Sequence, residues 1–142
     1  MDPISRFLWH KVAAQVEVTV RPEAMSFRCK DKTESLKTVI YIAPATRRVM
    51  GVGDPVPADE SCVGIDLFRP AVMPKGADKV DCLTAFLSHA FRTVAVSGRP
   101  LILPRVVFKG ADSLDFILCG YQETILKRAA MEAGASECEF VS

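Results

Sequence analysis

Carboxylates, cysteines and histidines are the side chains here best suited to chemistry, and their spacing argues against a catalytic centre. A two-metal hydrolase or nuclease needs several carboxylates converging on a pair of cations. Glu17, Asp66, Asp81 and Asp115 are the candidates, but the pattern gives no strand carboxylate an evident partner on a second strand or a helix. Charged residues on helix faces are ordinarily solvated. Cys62 would need an activating base to serve as a nucleophile, and none is identifiable. His89 falls within an apolar helix pattern, with no Ser or Cys tied to it. Cys29, Cys62, Cys82, Cys119 and Cys138 form no CxxC pair, and only His10 and His89 could assist them, so no zinc site is expected. Gly64-Ile65-Asp66-Leu67 spells the start of a phosphate hairpin, but the bulky Phe68-Arg69-Pro70 follows; the stretch reads as a loop packed on the core. The pairs Arg47-Arg48 and Lys127-Arg128 lack interleaved aromatics, which gives nucleic-acid binding little support. The expectation is no catalytic residue, no bound metal and no cofactor.

Composition sets the frame for that expectation. The chain has 142 residues, 49% of them hydrophobic and 25% charged, with a formal net charge of +1. This suits one soluble domain spanning residues 1–142, able to bury roughly two thirds of its unfolded surface without a metal or disulfide. The near-neutral balance argues against a nucleic-acid polycation. The cysteine count is odd, and Cys119 in the last helix pattern and Cys138 in the last strand suit reduced, buried thiols and a cytoplasmic setting. The start Met1-Asp2-Pro3 is unlike a signal peptide, and no apolar stretch approaches the ~20 residues of a membrane span.

The elements that would position any site follow from periodicity. Asp2-Pro3 predicts a helix start, with Ile4, Phe7, Leu8 and Val12 at helical spacing. Val16, Val18 and Val20 alternate with polar residues as a strand. Arg21-Pro22-Glu23 turns the chain into a second strand through Met25, Phe27 and Cys29. A polar loop, Lys30 to Ser35, is then expected before a third strand, Lys37 to Ala43. A short extended piece, Val49 to Val52, follows. Residues 53–76 contain Pro55, Pro57, Pro70 and Pro74, which excludes a long helix or central strand there. Asp78 opens a helix whose apolar face runs through Val80, Leu83, Ala85, Phe86, Leu87, Ala90 and Phe91. Leu101 to Phe108 reads as a strand, and Asp112-Ser113 as the cap of a helix from Ser113 to Ala133, with a possible break at Gly120. Gly134 suits the helix stop and Cys138 to Val141 the last strand. A strand, a crossover helix and a strand must lie parallel in one sheet. The expected fold is therefore α/β, a mixed five-stranded sheet with an antiparallel meander and parallel strands flanked by helices. This is the order of ribonuclease H-like and actin-like domains.

Several stretches resemble the bacterial actin-like rod-shape-determining (MreB) family, in its first subdomain (IA). Arg47-Arg48-Val49-Met50-Gly51-Val52-Gly53 is similar to that family's "vlAVG" strand. Gly64 to Pro70 lies where the family reads "iaAIRPlkdGvI", and Leu87 to Arg92 resembles its "lryFIrk" helix. Pro104-Arg105-Val106-Val107, with Leu126 to Ala135, matches "PRVVigvP…RRAvreAaleAGA", and Cys138-Glu139-Phe140-Val141 matches the strand before its "EEP". The resemblance runs through nearly the whole chain in order. It implies a cytoskeletal, cell-shape setting and, in the family, ATP held by a glycine-containing "IDLGT" hairpin. The corresponding hairpin here, Val16 to Glu23, has no glycine, and Pro22 removes an amide donor where phosphate oxygens would need one.

The expected role is thus non-catalytic, a protein-interaction or self-assembly module without nucleotide. A small metal-dependent hydrolase or nuclease on the same fold is one alternative. A membrane-surface adaptor is another, because Ile4, Phe7, Leu8, Trp9 and Val12 beside Arg6 and Lys11 suit an interfacial helix. The same apolar face equally suits packing on the domain itself or on a partner.

Overall fold

The computed structural model describes residues 15–30, 32–43, 45–46, 48–53, 62–68, 79–95 and 105–141. The expected first helix, and with it the proposed contact residues Ile4, Phe7, Leu8, Trp9 and Val12, falls outside the described residues.

Alternation builds the first hairpin as expected. In β1 (Gln15–Val20) and β2 (Ala24–Cys29), Val16, Val18, Val20, Met25, Phe27 and Cys29 are buried on one face. β3 (Lys32–Lys37) completes an antiparallel meander, with Phe27 opposite Glu34 and Met25 opposite Leu36. β7 (Arg105–Lys109) and β8 (Glu137–Val141) then run parallel to β1, giving the order β3-β2-β1-β7-β8. The sheet is mixed and five-stranded, as the pattern predicts.

The third strand differs from expectation. The segment read as a polar loop is β3 itself, and the run read as the third strand splits off as β4 (Val39–Ala43). As an edge strand, β3 buries a single apolar side chain, Leu36, so it carries too little hydrophobic signal to stand out. Thr38 makes the switch between them. It is buried, its N–H donates to the Glu23 carbonyl at 3.2 Å, and its hydroxyl donates to the Pro22 carbonyl at 2.6 Å. β4 then forms the centre of a second, three-stranded antiparallel sheet between β5 (Arg48–Val52) and β6 (Val63–Asp66). β6 lies within the stretch expected to be irregular. It is a short edge strand in which Ile65 alone is buried, so no alternation marks it.

Two helices cover the sheet face that carries Phe27. From α1 (Lys79–Ala95), Cys82, Leu83, Phe86, Leu87, Ala90, Phe91 and Val94 are buried at helical spacing. Phe27 meets Phe86 at 6.0 Å and Phe91 edge-on at 6.4 Å between ring centroids. Lys32 on β3 donates to the Thr93 carbonyl in the last turn of α1, where a cation is favourable. α3 (Gln122–Glu132) packs on α1 and on β8, burying Leu126, Ala129 and Ala130. The expected helix from Ser113 to Ala133 is in fact three pieces. These are a 3-10 turn (Ala111–Leu114), a one-turn α2 (Asp115–Leu118), and α3. Cys119 at φ 52 and Gly120 at φ 88 break the run. Cys119 is therefore exposed at a helix end, not buried within a helix, and Cys138 on β8 is half-buried, whereas Cys29 and Cys82 are buried.

The opposite face of the main sheet is mostly polar, around the buried Val107. Register places Glu17, Arg105, Lys109, Glu137 and Glu139 on it together. Arg105 donates to Glu137 at 2.8 Å and to Glu139 at 3.4 Å, and Lys109 lies 3.7 Å from Glu17.

Candidate functional site

In an open α/β sheet, ligands bind beyond the carboxyl ends of parallel strands where the chain leaves in opposite directions. That point here lies between β1 and β7. From β1 the chain proceeds outward to β2 and β3, and from β7 it proceeds the other way to β8. Two connections border the crevice: the β1–β2 turn at residues 21–23 and the turn at Gly110 after β7.

Both connections are held by the chain's own hydrogen bonds. Arg21 N–H donates to the Ala24 carbonyl at 3.0 Å, which closes the hairpin tightly. Pro22 has no N–H to offer. The carbonyls of Pro22 and Glu23 accept from Thr38, as described above. On the other side, the Ser113 hydroxyl donates to the Val20 carbonyl at 3.0 Å, and Ser113 N–H donates to the Gly110 carbonyl at 3.0 Å. Gly110 stands at φ 78, and a Cβ there would meet the Val20 carbonyl oxygen at 2.9 Å. Only glycine allows this approach. The crevice is thus bridged by a serine and a glycine against the end of β1. An anion site needs successive amide N–H groups aimed outward; this turn points carbonyl oxygens at donors from the same chain.

Other candidate residues are dispersed. Glu17 pairs with Lys109 on the polar sheet face. Asp66 ends β6, and its Oδ1 accepts from Phe68 N–H at 3.1 Å, a local turn contact. Asp81 lies in the first turn of α1. Asp115 begins α2 and accepts from Gln122 Nε2 at 3.3 Å. Among the described residues, no group of three or more His, Cys, Asp or Glu is placed to hold a metal ion. His89 is exposed on α1, and Cys62 is half-buried just before β6. Arg48, Lys127 and Arg128 are exposed, the last 3.3 Å from Glu132 one turn away; Arg47 lies outside the described residues. Gly64 makes room for an aromatic ring, since a Cβ there would meet Tyr41 Cε1 at 3.1 Å. That glycine serves packing between β6 and β4.

Sequence reasoning missed the residues that hold the crevice. Ser113 was expected to cap a helix, but no side-chain cap bond is made at the start of the 3-10 turn; its hydroxyl reaches β1 instead. A glycine directly after an apolar strand was the available signal at Gly110. Thr38 gave none, because it sits inside what reads as a continuous strand.

Burial raises the Cys29 thiol above its ordinary value of 9.0, with Lys30 pulling weakly the other way. Cys138 is likewise raised by burial against a smaller opposing effect of Lys127.

No protein-family model matches this sequence, and no curated protein is significantly similar to it. Among solved structures, the chain is similar to MreB5 of Spiroplasma citri bound to ADP, with a TM-score of 0.63 and 13% identity over 93% of this chain and 39% of that chain. It is similar also to the same protein bound to AMPPNP, with a TM-score of 0.58 and 11% identity over 91% of this chain and 38% of that one. The chain thus spans well under half the length of these neighbours. Among the described residues, no helix is long and apolar enough to cross a membrane. The common ground is architectural: this chain has an actin-like α/β fold, a mixed five-stranded sheet flanked by helices.

Proposed function

We propose that this chain is a non-catalytic, actin-like module that acts by binding or assembling with protein, in a setting related to the cytoskeleton and cell shape. One observation carries the reading: at the sheet's switch point Ser113 and Gly110 engage the Val20 carbonyl at the end of β1, and Thr38 engages the following turn, with Pro22 at its centre. A triphosphate there would meet no amide N–H at Pro22 and would have to displace contacts already made. The dispersal of Glu17, Asp66, Asp81 and Asp115 over four separate elements argues against the hydrolase and nuclease alternative. Exposed apolar side chains favour a binding role. Phe116 is 79% exposed and Tyr121 65% exposed around the break between α2 and α3, and Val49, Met50 and Val63 are exposed on the second sheet. Val49 and Val63 are both register partners of Ile42 on the second sheet, and apolar residues that lie together on a surface ordinarily mark contact sites.

Thermal unfolding of the purified chain with and without ATP and magnesium tests the reading. A ligand that binds only the folded state raises its stability in proportion to the logarithm of its concentration. The expected result is no change, and a melting temperature that keeps rising with the logarithm of ATP concentration would overturn the proposal.

A further inference from the structure

The last strand, β8, offers a second kind of surface. Among the described residues it is hydrogen-bonded on one side only, to β7, and so ends the sheet. A sheet edge carries backbone donors and acceptors that an extended chain can complete. Its two side-chain rows have different character. Glu137 and Glu139 point to the polar face, where one guanidinium, Arg105, serves both carboxylates. Cys138 and Phe140 point to the helix face and are only half-buried, whereas Val106 and Phe108 beside them on β7 are fully buried. Phe140 stacks on Phe108 at 5.2 Å and keeps part of its surface exposed. At the carboxyl end of β8 the edge opens into a cleft of about 220 Å³ lined by Ala111, Asp112, Glu123, Phe140 and Val141. Carboxylates thus line both the edge and its end, on a chain whose net charge is +1.

We propose that β8 receives an extended, basic segment of a partner protein, which adds a sixth strand to the sheet. Its lysines or arginines lie along Glu137 and Glu139 on the polar face. Its alternate apolar side chains cover Phe140 and Cys138 on the other. The period of two along a strand places both rows correctly in one register. A cationic side chain at the end of the segment enters the cleft between Asp112 and Glu123, its aliphatic stem against Phe140. A second copy pairing through its own β8 is disfavoured, because antiparallel pairing centred on Cys138 or Glu139 would set glutamate opposite glutamate. The inference rests on reading the chain as an interaction module and names the partner chemistry for it.

Three synthetic peptides test this with the full chain. One alternates cationic and apolar residues (Arg-Val-Lys-Val-Arg-Val, blocked at both ends). The second keeps the charges but places proline at its central apolar position. The third replaces every cation by glutamate. Calorimetry should show the first binding, the second at least about tenfold weaker and the third not at all. The Asp112→Asn/Glu123→Gln double variant, altered only at exposed positions, should also bind the first peptide about tenfold more weakly. Hydrogen exchange should slow at β8 amides when the peptide is present. Equal binding of the proline peptide would leave only charge attraction and overturn the inference, as would unchanged affinity of the double variant or no binding at about 1 mM. Failure here in a chain indifferent to ATP removes the β8 site alone. Stabilisation by ATP would remove the underlying reading.

Discussion

Replacing Gly110 by alanine, with Gly120 as an internal reference, tests the closed crevice between β1 and β7. Both glycines occupy the left-handed region, at φ 78 and φ 88, so an alanine at either costs about 1–2 kcal/mol in backbone strain. They differ in what the new methyl group meets. At Gly120 nothing lies within 4 Å, whereas at Gly110 the Val20 carbonyl oxygen lies 2.9 Å away. That oxygen belongs to a central strand and cannot swing aside like a flexible side chain. The 3-10 turn must retreat, stretching the Ser113–Val20 hydrogen bond, which contributes about 1 kcal/mol. Gly110→Ala should therefore cost about 1 kcal/mol or more beyond Gly120→Ala. For a chain of this length, 1 kcal/mol lowers the melting temperature by about 3–4 °C. Thermal unfolding followed by circular dichroism at one scan rate resolves such a gap. Ser113→Ala adds a check: combined with Gly110→Ala its effect should be less than additive, because both disturb one contact. If Gly110→Ala lowers the melting temperature no more than Gly120→Ala, Gly110 does not lie against β1 and the crevice is not closed as described.

Phe27 is fully buried and joins the meander to α1 through Phe86 and Phe91. Phe27→Ala should destabilise by about 3–5 kcal/mol in urea unfolding; a loss below about 1 kcal/mol would contradict the packing of α1 on that face. Thiol alkylation of the native chain should mark Cys119 first, since it alone of the five is exposed. Cys29 should react far more slowly, because it is buried and because its raised pKa keeps it protonated below and near 9.0. The sign for stability follows from the same shift. The folded state holds the proton more tightly, so this contribution is complete below the unfolded pKa and lost as pH rises through the folded one. Mass spectrometry after timed labelling at pH 8 checks the order, and labelling of Cys29 as fast as Cys119 would refute it.

The parts of the fold legible in sequence are those where burial imposes a period. The valines of β1, the alternation in β2 and the apolar face of α1 each point to one buried side. The strand–helix–strand ending likewise requires the parallel pair beside β1. Edge strands escape this logic. β3 buries only Leu36 as an apolar side chain and β6 only Ile65, so one read as a loop and the other as irregular chain. The boundary between the two sheets turns on Thr38, whose role depends on the carbonyls of Pro22 and Glu23, some fifteen residues earlier in the chain. No local pattern encodes such a contact. At the candidate site, the absence of glycine and the presence of Pro22 in the hairpin were legible. The bridging by Ser113 and Gly110 was not, because the same residues equally suit an ordinary helix cap.

Nothing probes nucleotide independence more directly than the melting temperature of the full chain titrated with ATP and excess magnesium. Engagement of the β1–β2 turn by Thr38, and of the end of β1 by Ser113, predicts a flat line across the titration. A melting temperature that climbs with the logarithm of ATP concentration, and does so again with ADP, would contradict it.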